Sequence, residues 1–236
     1  MERHLVSARP TMNETPLFLG HFSLSQSLVT TWAMMAVLLA ASWLLARQLG
    51  KPSSLGRVAA ETVYTMMENA VRDVVPHSYV EVTPFIATLW IFLFTANLTG
   101  LIPGLHSPTA DLSVTAALAV VVFLSVHWFA IRSLGLRAHL RHYLSPSPIL
   151  LPFHLISEIT RTLALAIRLF GNIMSLEMAA LLVLLVAGFL VPVPLLMLHV
   201  VEALIQAYIF GVLALLYIGS GLESLEKQKS DQRNPS

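Results

Sequence analysis

Apolar runs of about twenty residues, each long enough to cross a bilayer, alternate along the chain with short polar stretches. The first run covers 28–46 and stops at Arg47, before the breaker-rich loop Lys51-Pro52-Ser53-Ser54. Residues 58–75 show apolar positions on one side, with Glu61, Glu68, Asn69, Arg72 and Asp73 elsewhere. This pattern predicts an amphipathic helix on the membrane surface or against a partner, or else a solvated helix in a loop. Residues 84–102 form a second span closed by Pro103-Gly104, and 112–131 form a third. A basic loop follows at 132–148, with Arg132, Arg137, His139, Arg141 and His142. Residues 149–191 are then apolar almost throughout, which as one helix would measure roughly 60 Å, about twice the hydrocarbon core. Such a stretch must tilt, lie partly in the membrane plane or break into a hairpin. Pro192 and Pro194 end it, 194–221 is the last span, and 222–236 is a polar tail. The expected architecture is all-α: one membrane domain over 1–236, with a leader (1–27), five to six membrane helices (28–221) and a tail. The stretches 149–191 and 194–221 form its long tilted hairpin.

Composition supports this class. Hydrophobic residues make up 56% and charged residues 11%, against about 25% charged in soluble domains. A net charge of +1 gives no field that would attract nucleic acid, and the absence of cysteine removes disulfides and thiolate metal sites. The leader carries Glu2, Arg3, Arg9 and Glu14 ahead of the first apolar run, unlike a cleaved secretory signal. Arg47, Lys51, Arg57 and Arg72, then Arg132, Arg137 and Arg141, then Lys227, Lys229 and Arg233 fall on one side of the membrane when the spans alternate. The positive-inside rule makes that side cytoplasmic, so the C-terminus is expected inside and the N-terminus outside.

Against this apolar background a few polar residues stand out. Arg168 lies deep in the long stretch, where a cation costs from a few to over ten kcal/mol and generally faces protein or water. At ~100° per residue, Arg161 and Arg168 fall within about 20° of each other and Asn172 about 40° further round, making one stripe. Glu177 falls about 180° away and roughly 13 Å further along the axis. It is therefore expected at a different place from Arg168. In the last span His199, Glu202 and Gln206 share an arc of about 60°, and Tyr217 returns to the azimuth of His199. Antiparallel pairing would bring Glu177 towards His199 and Glu202, and Arg168 towards Gln206. A histidine with two carboxylates in apolar helices points to a proton or cation route. Asn172 and Gln206 also read as interhelical glue, Arg161 as a snorkelling cation, and His154 and Glu158 as interface residues. No compact metal-ligand spacing, P-loop or dinucleotide fingerprint is present, so no metal, cofactor or nucleotide is expected on the chain, and no catalysis by it.

The run Arg168-Leu169-Phe170-Gly171-Asn172 resembles the signature of the subunit a family of F-type ATP synthases. The resemblance extends through Glu158, Arg161, 165–172, Glu177 and 204–210, and also takes in 94–104 and 109–115. It implies a stator subunit with two half-channels for protons, or for sodium in a variant, coupled to a rotating ring of c subunits. Arg168 corresponds to the essential arginine, Asn172 and Gln206 to its polar neighbours, and Glu177 with His199 to the paired residues of a half-channel. Arg161 corresponds to a basic position one stripe earlier; Glu158, His154, Glu202 and Asn97 are accessory candidates. His154 stands where many relatives have glutamate, Thr162 where many have proline, and Gly100 where some have an acid. The implied partners are the c-ring, peripheral-stalk b subunits, the F1 sector through the complex, and lipid, in a bacterial inner membrane. Two other readings compete: a stand-alone transporter or channel that binds an anion at Arg168, and a scaffold whose polar residues only join helices. The lack of internal repeats weakens the first.

Overall fold

The computed structural model describes residues 17–19, 22–24, 26–49, 55–102, 107–135, 151–187 and 192–233. Five of its helices are long and apolar enough to cross a membrane. We number the helices α1 (Gln26–Leu49), α2 (Leu55–Val74), α3 (Tyr79–Thr99), α4 (Leu112–Leu134), α5 (Leu151–Ala187) and α6 (Pro192–Arg233). A 3-10 turn, Pro108–Ala110, leads into α4. All but α2 are spans, as the apolar runs predict.

The chain departs from the expected pattern in three places. The leader contains a short antiparallel pairing of Leu17–Leu19 with Phe22–Leu24, which adds a little β structure to an otherwise helical chain. Apolar residues and phenylalanine on both sides of Gly20-His21 favour such a hairpin. Helix α3 starts at Tyr79 and carries Pro84 inside it, five residues before the expected start. Proline there deletes one early hydrogen bond, a loss tolerated near a helix beginning. Helix α5, one arm of the expected hairpin, is unbroken over 37 residues and does not turn back on itself within 151–187. At ~1.5 Å per residue it is roughly 55 Å long, well beyond the membrane core. Helix α6 opens with Pro192 and Pro194, which its first turn accepts, and continues to Arg233. The tail is thus helical where only polarity was expected; residues 222–233 contain no proline or glycine to stop it.

Helices α3, α4, α5 and α6 share one core. Ile86 and Leu93 on α3, Val122 on α4, Leu165, Leu169 and Ile173 on α5, and Phe210, Leu215 and Ile218 on α6 are all fully buried. Lipid offers these groups no less apolar a surface than the core does, so close fit rather than water exclusion joins them. Gly211 shows this: a Cβ there would overlap the indole of Trp90, whose Nε1–H donates to the Tyr208 carbonyl at 3.3 Å. The amphipathic helix α2 lies against the same body, with Val71 and Val75 buried and Gly219 of α6 beside Val74 and Val75. Side-chain pairs fix the α5–α6 register. Asn172 meets Gln206, and Arg161, eleven residues earlier, meets Tyr217, eleven residues later. The two helices therefore run antiparallel. Helix α5 remains largely uncovered: only 11% of its span is buried.

Candidate functional site

Three groups of polar side chains lie along α5. The first gathers where the end of α3, the 107–110 segment, α5 and α6 meet. Glu177 accepts the backbone N–H of Ser107 at 3.0 Å. His199 is buried and its Nε2 lies 3.3 Å from the Asn97 carbonyl. A carbonyl only accepts, so Nε2 carries the proton and Nδ1 is the basic nitrogen when the ring is neutral. The Glu177 carboxylate and the His199 ring border the same small space beside Gly100. A Cβ on Gly100 would lie 2.9 Å from Glu177 Oε1 and 3.5 Å from His199 Cε1. The missing side chain at Gly100 leaves that room to the glutamate–histidine pair. Asn97, Ser107 and Thr109, all buried, secure the arrangement. The Thr109 hydroxyl donates to Asn97 Oδ1 at 2.8 Å and contacts the Ser107 hydroxyl at 2.7 Å. Ser107 Oγ–H donates to the Ala96 carbonyl at 2.9 Å, and Asn97 Nδ2–H to the Ala203 carbonyl at 3.3 Å. Glu202 is half-buried one turn beyond His199 and outside this network.

The second group is the stripe at mid-helix. Asn172 Nδ2–H donates to Gln206 Oε1 at 2.8 Å, which pins the hairpin. Gln206 is 1% exposed, and its Nε2 has no acceptor among the described residues. An unsatisfied buried donor costs about 1–3 kcal/mol, so this amide is a strained element of the site. Arg168, one turn before Asn172, is exposed and forms no hydrogen bond or ion pair with the described residues. Three of its neighbours on that side, Ala164, Gly171 and Ser175, are small. A Cβ on Gly171 would meet nothing within 4 Å. Arg168 therefore stands in an open, shallow stretch of surface, turned away from Glu177, which faces Ser107 inside the bundle. Arg161 rests its guanidinium 5.5 Å over the Tyr217 ring.

The third group lies near the start of α5. Glu158 Oε1 is 3.5 Å from Nε2 of His127 on α4, and both side chains are about three-quarters buried. His154 is exposed one turn before Glu158. Sequence reasoning missed His127, Ser107 and Thr109. His127 sits in a span with no polar stripe to flag it, and the other two are short hydroxyl residues whose partners lie on other helices.

Fold and site together define a polytopic helical membrane protein that sets a half-buried carboxylate beside a buried imidazole and displays a guanidinium from the middle of a span. Comparison with known sequences narrows that class. Residues 28–219 match the family model described as ATP synthase A chain. The chain is 60% identical over 212 residues to "ATP synthase subunit a 2" of Pelobacter propionicus, covering 90% of this chain and 93% of that one. It is 57% identical over 211 residues to "ATP synthase subunit a 1" of Hahella chejuensis, covering 89% and 90%. With "ATP synthase subunit a" of Legionella pneumophila it shares 55% identity over 218 residues, covering 89% and 94%. The chain belongs to the ATP synthase A chain family.

Proposed function

We propose that this chain is the membrane stator subunit of a rotary ATP synthase and carries protons between the two sides of the membrane and a ring of carboxylate-bearing rotor subunits. Its position in the complex would also bring it against peripheral-stalk b subunits, with the F1 sector doing the nucleotide chemistry. The observation that carries the reading is the setting of Arg168. A mid-membrane guanidinium with open space beside it at Gly171, uncovered by its own chain, fits a partner whose acidic side chains pass close by. Each rotor carboxylate is neutral while it faces lipid, because a bare charge there is heavily penalised. Opposite Arg168, at ~4 Å and an effective dielectric near 20, the attraction is about 4 kcal/mol. That favours the ionised carboxylate, and the proton leaves. Arginine suits the role because it does not release its own proton and repels a cation leaking past it.

The spacing of the three groups supports two separate half-paths. Glu158 precedes Arg168 by ten residues and Glu177 follows it by nine, which is roughly 15 Å and 13 Å along the helix. One titratable cluster therefore lies towards each membrane face, with the arginine between them. Glu177 and His199 serve the outer half-path, and Asn172 and Gln206 hold the hairpin that presents Arg168. Positive charge in the 132–142 loop and the tail favours a cytoplasmic C-terminus and an extracytoplasmic N-terminus. The test is Arg168→Ala in the assembled complex. ATP-driven acidification of inverted membrane vesicles should vanish while the complex still copurifies with its ring. Normal acidification by that variant would end the proposal.

A further inference from the structure

We propose that His127 and Glu158 form a proton-binding site that holds one proton between them on the side of Arg168 opposite Glu177 and His199. The inference extends the half-path reading above to His127, which no sequence signature marks, and gives Glu158 a specific task. It starts from the two ring nitrogens of His127. Nδ1 lies 2.9 Å from the Phe123 carbonyl of its own helix, and a carbonyl can only accept, so Nδ1 carries a hydrogen. Nε2 therefore has no hydrogen in the neutral ring. Yet Nε2 is the nitrogen that faces Glu158 Oε1, 3.5 Å away. With the ring neutral and the glutamate ionised, two lone pairs would confront each other across a largely buried gap. One added proton removes the conflict, either as imidazolium beside carboxylate or as neutral imidazole beside carboxylic acid.

The surroundings suit a proton that comes and goes. The Phe123 ring packs against the imidazole, 4.5 Å centroid to centroid, and helps to fix its orientation. His154 lies one turn before Glu158 and is exposed, as a group exchanging protons with water should be. Arg161, one turn after Glu158 on α5, is directed over Tyr217 of α6, and Arg132 of α4 faces Glu81 of α3 at 3.7 Å. These two guanidiniums therefore have other partners close by. The side chains of His127 and Glu158 are 27% and 21% exposed, so one edge of the pair is open at the surface of the bundle. Glu158 points to α4 whereas Arg168 faces outwards from α5. The pair therefore collects or buffers protons at the mouth of its half-path and does not itself touch the rotor carboxylate.

The test uses the whole complex in liposomes with the F1 sector outside, and varies only the external pH. Glu158→Gln and His127→Gln should each slow ATP-driven proton pumping several-fold and flatten its dependence on external pH. Exchanging the two residues, His127→Glu with Glu158→His, should restore both rate and profile, because the swapped pair again holds one proton. Single variants that keep the wild-type profile would overturn the proposal, as would a uniform rate loss with an unchanged profile, the mark of a merely structural role. Arg168→Ala, assayed alongside, separates this outcome from failure of the stator reading: if that variant pumps normally, the larger reading falls whatever the pair does.

Discussion

At the scale of single residues the structure separates charges that the sequence lists together. Arg168 and Glu177 occupy one helix nine positions apart, and the azimuth argument expects them in different places; Glu177 is bound to the Ser107 amide inside the bundle while Arg168 is exposed. Glu177 and His199 border one space beside Gly100, so they should tolerate exchange as a pair better than either tolerates loss. The expected outcome is that Glu177→His with His199→Glu pumps faster than Glu177→Ala or His199→Ala. A double swap no better than the worse single variant would argue against a shared task. Asp111, at the start of α4, permits a pH prediction. Partial burial alone would raise its pKa, but hydrogen bonds from the Ser113 amide, the Ser113 hydroxyl and the Ser27 hydroxyl outweigh that and hold it below the ordinary 3.8. A carboxylate whose folded pKa is depressed adds stability above its unfolded value and loses it as pH falls through the folded one. Asp111→Ala should cost about 1 kcal/mol at neutral pH, the usual worth of such a cap. The gap to the wild type in thermal melts of the detergent-solubilised chain should narrow as pH falls below that 3.8.

At the scale of elements, the apolar runs located all five spans, because a bilayer imposes a length and a hydrophobicity that no loop satisfies. The ends were less legible. Pro84 marks a start by local rules, yet α3 runs five residues back to Tyr79, and the polar tail continues α6. Membrane polarity and helix continuity are separate properties: a polar tail leaves the apolar span without ending its helix. The polar stripes of α5 and α6 gave the antiparallel pairing but set Arg168 towards Gln206; the side chain that Gln206 meets is Asn172, one turn further along the same stripe. Contacts made through other elements were out of reach: nothing in a linear pattern sets Ser107 and Thr109 against Asn97, or His127 against Glu158. Helix α5 also gives a prediction of its own. The space beside Gly171 is open, so Gly171→Leu should leave thermal stability of the chain unchanged or slightly raised, since glycine costs a helix about 1 kcal/mol relative to alanine. The same substitution should obstruct the stretch in front of Arg168 and block ATP-driven acidification. A variant that pumps normally would show that no partner comes close to that face.

At the scale of the whole molecule, four spans form a common core and leave one long face of α5 and α6 bare. Leu163 and Ile167 of α5 and Met197, Leu204 and Tyr208 of α6 are all exposed there. In lipid that bareness has little energetic penalty, so a large apolar partner can slide over the face without being held by it. Arg168 stands about midway between Glu158 and Glu177, and this central position has an electrical consequence. With similar thicknesses of insulating protein above and below, a membrane voltage divides about evenly between the two approaches. Each then contributes about 1.1 kcal/mol per charge for every 100 mV, half of the whole-membrane value. On the proposed route, loading and unloading would feel the field alike, and reversing its polarity would drive both legs backwards together.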